Sequence, residues 1–388
     1  MTGPRSNASR GATSSIACVA ALLAVLALGW LAAAQATIAA PRDHHPPSCA
    51  PGVDLLGFSD ALDKRRYEGT DVGGLSALAP VSRDRYLSLV DNQRDTPARV
   101  YTLRIPVERE RLAEPTIRDV TVLRRADGEP FTGADLDGEG LVATRRGELL
   151  VASETEPSIR RFSSEGRLLD ELAVPQRFRV APEGEGQPNQ TFESLALSPS
   201  GRSLFTAVEG PLAADGRTQD GRARVRILRY ERGPGGTYKP AEEFFYLAEA
   251  GQGVVEIVAL SDSDLLVLER GFVSGEGNTV RIFRASLAGA PDVAGEPTLA
   301  DPGLDPLAKG LLVDLSDCPA GGAQSPGTQE NPLLDNFEGL ALGPRLSGGR
   351  RTLLLQSDDN FNDVQVTRVV ALAARLQEAP ASGARARP

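Results

Sequence analysis

One pattern recurs along the chain: an apolar run, a turn of Gly, Ser, Asp or Arg, a second apolar run and a closing acid. Gly140-Leu141-Val142-Ala143 leads through Arg146-Gly147 to Leu149-Leu150-Val151-Ala152 and then Glu154. Ser194-Leu195-Ala196-Leu197 leads through Ser200-Gly201 to Leu204-Phe205-Thr206-Ala207-Val208 and Glu209. Ile257-Val258-Ala259-Leu260 is followed by Leu265-Leu266-Val267-Leu268 and Glu269-Arg270, and Gly339-Leu340-Ala341-Leu342 by a strand ending in Ser357-Asp358-Asp359. Gly73-Gly74-Leu75-Ser76 with Val90-Asp91-Asn92 is a weaker copy. Short β-branched and aliphatic runs bounded by turn formers indicate strands, and amphipathic helical periodicity is almost missing. Copies spaced roughly 50 to 80 residues apart and built from antiparallel hairpins predict an all-β fold, a β-propeller of four-stranded blades. The gap between Glu256 and Glu338 is the widest and holds another strand, Gly310-Leu311-Leu312-Val313-Asp314. Six blades are therefore expected, with five or seven as alternatives.

The ends of the chain fix its compartment. Arg5 and Arg10 precede the apolar stretch from Ile16 to Ala34, and Ala34-Gln35-Ala36 is a small-x-small cleavage signal, with a second at Ile38-Ala39-Ala40. An uncleaved anchor is the alternative, because the run approaches the roughly 20 residues a membrane span needs. The expectation is a signal peptide over 1–40, a flexible segment over 41–52, a propeller over 53–377 and a disordered tail over 378–388, in a secreted or periplasmic protein. Loss of Arg5 and Arg10 removes no acid, so the formal net charge of -10 becomes more negative still. Such a chain repels nucleic acid and anionic membranes at long range. Cys18 leaves with the signal. Cys49 and Cys318 remain, and an even pair in an oxidising compartment predicts one disulfide.

Histidine sets the chemistry by its scarcity. His44 and His45 are the only two, in a Pro-rich stretch next to the cleavage site. A Ser-His-Asp triad, a Cys-His pair and a His-ligated zinc all need an imidazole inside the fold. Carboxylates, Arg, hydroxyls or a hard metal remain. The repeat places Glu139, Glu193, Glu256 and Glu338 just before a hairpin's first strand, and Asp91, Glu154, Glu209, Glu269, Asp358 and Asp359 at the end of its second. Those two positions lie at one edge of an antiparallel hairpin, so radial blades gather them into a ring. Crowded carboxylates need protons, Arg or cations, and oxygen-only donors select hard ions, above all Ca²⁺. The expected metal donors are Asp91, Glu154, Glu193, Glu209, Asp358 and Asp359. Glu139 and Glu338 are the candidate catalytic bases, and Arg270 and Arg94 the candidate grips for an anionic substrate. The alternative is that these acids cap turns and nothing more.

Several ordered motifs carry a resemblance. Gly73-Gly74-Leu75-Ser76, Asp137-Gly138-Glu139-Gly140-Leu141, Phe192-Glu193-Ser194-Leu195-Ala196, Leu268-Glu269-Arg270-Gly271-Phe272, Asn336-Phe337-Glu338-Gly339-Leu340 and Gln356-Ser357-Asp358-Asp359-Asn360 together resemble the phytase-like propeller family, described by an esterase-like activity of phytase. The match runs from about Val72 to Leu372. It departs from the family at Ser194, where a Gly is usual, and at Glu256-Ile257-Val258, where an E-G-L triplet is expected. The resemblance implies a secreted propeller, Ca²⁺-dependent, hydrolysing phosphate or other small-molecule esters. Two rivals remain: a non-catalytic propeller that binds a ligand or protein, and a lactonase-like hydrolase.

Overall fold

The computed structural model describes residues 46–91 and 94–376. The expected signal peptide and C-terminal tail lie outside the described residues. The part of the N-terminal segment that is described contains a short strand, Ser48–Ala50.

Strands pair antiparallel into five sheets of four or five strands, besides two short two-stranded ribbons. The first blade holds Leu75–Pro80, Arg85–Val90, Arg99–Arg104 and Thr116–Val122; the second Gly138–Ala143, Leu149–Ser153, Ser158–Phe162 and Leu168–Leu172. The third holds Ala196–Leu197, Ser203–Ala207, Arg222–Arg232 and Tyr238–Ala250; the fourth Gly253–Ala259, Asp264–Val273, Gly277–Ser286 and Ala308–Asp314. Phe337–Arg345, Arg351–Ser357 and Val369–Ala374 begin the fifth, and the N-terminal Val53–Ser59 completes it by pairing with Val369–Ala374. Each inner strand packs against the inner strand of the next blade, and the last against the first. The ring is a closed β-propeller of five blades.

Six blades were expected, and the extra one is a loop. Gly310–Asp314 belongs to Ala308–Asp314, the outermost strand of the fourth blade. The residues between Ser286 and Ala308 form no strand; instead they lie along the third blade, where Val293 N donates to Glu243 O (2.9 Å) and Leu307 N to Phe245 O (2.8 Å). Arg226, fully buried, holds them there. Its guanidinium grips Asp215 bidentately (2.8 and 2.9 Å) and Glu243 (2.9 Å), and donates to the carbonyls of Val293 and Glu296. A buried cation with every donor engaged is stable only in such company, so the Pro- and Gly-rich loop is fixed without a sheet of its own.

Apolar side chains fill the wedges between blades. Leu89, Leu141, Leu149 and Phe162 join the first two blades, and Leu266, Leu340, Leu353 and Leu372 the last two. Beside this last wedge Cys49 and Cys318, both buried, form the expected disulfide, with Cα atoms 4.1 Å apart and a sequence separation of 269.

Each inner strand carries a bulge near its start. Gly138 faces Ser153 and Gly140 faces Ala152, which leaves Glu139 unpaired between them. Phe337 and Gly339 likewise face Ser357 and Gln356 and leave out Glu338. Ser76 and Val255 hold the same place in the first and fourth blades. In the third blade Glu193, Ser194 and Leu195 face only Thr206 and Ala207. A bulge bends its strand and re-aims the extra side chain. Small residues follow where the neighbouring blade is close: a Cβ on Gly140 would stand 2.7 Å from the Ser194 carbonyl carbon.

Candidate active site

The bulges of the second, third and fifth blades deliver Glu139, Glu193 and Glu338 to one end of the central channel. There Asp91, Asp137, Glu139, Glu154, Glu193, Glu209, Glu338 and Asp358 line a cavity of about 670 Å³, in which Arg270 is the only cationic lining residue among the described residues. Carboxylate oxygens of Asp91, Asp137 and Glu139 lie within 4.8 Å of one another, as do those of Glu154, Glu193 and Glu209. The mouth thus contains two separate groups of oxygen donors.

Neighbours set each acid's orientation. Glu154 accepts from Thr191 N (3.0 Å), while Thr191 Oγ1 donates back to the Glu154 carbonyl (2.8 Å). Asp137 accepts from Thr155 Oγ1 at 2.9 Å, Asp358 from Asn360 N at 2.7 Å, and Glu338 from Asn336 Nδ2 at 2.9 Å. Arg270 Nη2 stands 3.2 Å from Glu338 and 3.5 Å from Glu209.

Burial and mutual repulsion push protons onto this ring. Asp91 rises to about 8, through burial first and then the charges of Glu338, Asp137 and Asp359. Glu154 rises to about 7, again by burial, against the pull of the Thr191 amide. Glu139, Glu193 and Asp358 are held well above the ordinary carboxylate range by burial and their neighbours. Arg270 offsets part of the same rise at Glu209 and Glu338. Without a compensating cation, the mouth holds protons near neutral pH.

Most residues singled out in the sequence meet here. Glu139 stands among donors rather than apart from them, and Asp137, which enters the sequence reading only within the motif Asp137-Gly138-Glu139-Gly140-Leu141, stands beside it. Asp359 lies just outside: its oxygens accept from Gly74 N (3.1 Å), Phe361 N (3.1 Å) and Lys64 Nζ (2.5 Å), which pins the turn after the fifth blade's second strand. Arg94 is exposed and does not line the cavity; its carbonyl accepts from Ala134 N.

The fourth blade departs from the expected frame by one residue. Val254 faces Glu269 and Glu256 faces Leu268, so Val255 is the bulge residue and Arg270, still within the second strand, takes the place beside the bulge that Glu154 and Asp358 hold in their blades. Glu269 therefore points away from the mouth, where Tyr246 Oη (2.5 Å), Lys309 Nζ (2.7 Å) and Glu249 N (2.8 Å) surround it. Glu256 lies farther down the channel, accepting from the amides of Ile257 (3.0 Å) and Leu195. A one-residue slip reverses every side chain of a strand.

The profile of the phytase-like family, described as "Esterase-like activity of phytase", matches residues 70–361. The chain belongs to this family. An uncharacterized secreted protein of Arthroderma benhamiae is 30% identical to this phytase-like chain over 122 residues, 25% of the chain and 24% of that protein. The chain thus matches about a quarter of that relative's length. Among solved structures, the major Malassezia sympodialis allergen Mala s 1 is 13% identical, with 77% of each chain covered and a TM-score of 0.37. A luciferin-regenerating enzyme is also 13% identical, with 79% and 80% covered and a TM-score of 0.35. The disulfide and the secreted relative agree with a place outside the cytoplasm. Among the described residues no helix is long and apolar enough to cross a membrane. At the family's usual Gly, Ser194 is accommodated because its Oγ accepts from Ala207 N (3.2 Å) within the bulge.

Proposed function

We propose that this phytase-like protein is a Ca²⁺-assisted esterase acting on phosphate or other anionic esters at the acidic mouth. The observation that carries the reading is the pair of carboxylate groups, Asp91-Asp137-Glu139 and Glu154-Glu193-Glu209, facing one cavity with a single guanidinium. Such donors suit hard cations, and Asp91 Oδ1 is buried there without a hydrogen-bond partner. Ca²⁺ held by these carboxylates would neutralise and polarise the ester's anionic group. The chain's own residues supply the rest. Arg270 presents donors to the charge that develops on the substrate. Glu338, oriented by Asn336 and kept basic by burial, accepts a proton from water. Glu139, among the donors, would help Asp91 and Asp137 to hold the cation. Phe272 and Val364, 63% and 60% exposed at the rim, offer apolar contact to a leaving group.

The test is turnover of a chromogenic phosphate monoester, inositol phosphates, carboxylic esters and lactones, each with Ca²⁺ and with EDTA. Ca²⁺-dependent hydrolysis of a phosphate or carboxylic ester supports the proposal. Lactone hydrolysis alone replaces it with a lactonase, and inertness toward the whole panel with a binding propeller.

A further inference from the structure

The channel has a second, chemically opposite end. Where the inner strands finish, Leu78, Leu141, Leu195, Ile257, Leu340 and Leu342 help to line a cavity of about 710 Å³ that shares no lining residue with the acidic mouth. Its size falls within the range of about 300–1,000 Å³ typical of small-molecule sites. Glu256 is the only acid lining it, and both amides it accepts from belong to the channel wall.

The rim carries four arginines, Arg83, Arg145, Arg345 and Arg351. Arg145 donates to the Pro199 carbonyl at 2.9 Å. Arg351 is different. Its Nε is buried without a hydrogen-bond partner, and the charged or titratable groups acting on it are Arg345 and the Tyr86 hydroxyl, with no carboxylate among them. In a chain whose formal net charge is -10, two neighbouring guanidiniums without an acid are not a consequence of average composition. They make a cationic edge on an apolar cavity, and burial strengthens a guanidinium's hold on an anion. Val81, 42% exposed on the same rim, extends the apolar surface outward.

We propose that this end of the channel binds a long-chain alkyl carboxylate, with the chain against the leucines and the carboxylate on Arg345 and Arg351. Charge complementarity selects this occupant: an uncharged hydrocarbon leaves the guanidiniums unmatched, and a short anion leaves the cavity unfilled. The site is independent of the acidic mouth and does not rest on the esterase reading.

Fluorescence of cis-parinaric acid bound to the full mature chain, and its displacement by palmitate, hexadecanol and acetate, tests the proposal in EDTA. Parinarate is expected to bind at micromolar concentration and to be displaced by palmitate, at least tenfold less effectively by hexadecanol, and not by acetate. The double variant Arg345→Gln/Arg351→Gln should weaken palmitate at least tenfold and leave hexadecanol unchanged. Leu197→Trp, which fills the cavity from a partly exposed lining position, should abolish both, with circular dichroism confirming the fold. Absence of parinarate binding, equal affinity for palmitate and hexadecanol, or an unchanged palmitate affinity in the arginine variant would overturn it. Ester hydrolysis at the far mouth should be unchanged in all variants, so either reading can fail alone.

Discussion

Arg270 stands at the position where the other blades carry Asp91, Glu154, Glu209 and Asp358. Its Nη2 faces Glu338 and Glu209, while its Nε is buried with no hydrogen-bond partner. A guanidinium with hydrogen-bonding capacity left unmatched suits the anion of the proposed ester. Arg270→Gln removes those donors and also a positive charge that competes with bound cations. In the proposed esterase, kcat/KM should therefore fall about 10²–10³-fold, the usual effect of losing a preorganised donor. Calcium affinity, read by titration calorimetry, should hold or tighten, because the mouth becomes more negative. A parallel fall of activity and calcium affinity would make Arg270 a structural residue. Unchanged activity would remove it from the site.

At the scale of strands and blades, the repeat was legible wherever Gly, Asp and Ser punctuate apolar runs. All five inner hairpins, most third strands and the acids of the second, third and fifth blades follow from it. The fourth blade misled for a definite reason. Glu256 stands before the apolar run Ile257-Val258-Ala259-Leu260 much as Glu338 stands before Gly339-Leu340-Ala341-Leu342, but the bulge falls at Val255, and alternation with a period of two cannot reveal a one-residue shift. The sixth blade misled because spacing measures chain length, not sheets. What fills the gap is a loop fastened by Arg226, Asp215 and Glu243, residues distant in sequence with no local signature. Ring closure was legible only through the cysteines. Val53–Ser59 joins the fifth blade from the other end of the chain, and Cys49–Cys318 ties the strand beside it. Because that disulfide closes a very long loop, Cys318→Ser should lower unfolding free energy by roughly 2–5 kcal/mol. Urea denaturation of the variant should coincide with that of the wild type in reductant, and both should fall below the oxidised wild type. Identical midpoints in all three would mean the blade closes on its packing alone.

Over the whole molecule, the channel runs from a crowded acidic mouth to an apolar end rimmed by arginines, and the crowded mouth couples folding to pH. Asp91 takes up its proton at about 8 in the folded protein against 3.8 when exposed, and Glu154 at about 7 against 4.5. Between these limits the native state holds protons that the unfolded chain has released, so stability falls as pH rises through the window. Carboxylates with lowered values, such as Asp262 at about 2 beside Arg202 and Ser200, act below it and leave it clear. Without metal, the melting temperature should therefore drop steadily from pH 5 to pH 8. In the proposed enzyme, Ca²⁺ bound to the same groups would displace those protons. The rise in melting temperature on adding Ca²⁺ should be small at pH 5 and largest at pH 8, and should shrink at pH 8 in Glu154→Gln. Differential scanning calorimetry across pH, with Ca²⁺ and with EDTA, measures both trends. A metal-free melting temperature that stays level or climbs over this range would mean that the acids are matched by their own hydrogen bonds. A calcium increment indifferent to pH would place the ion elsewhere on the protein.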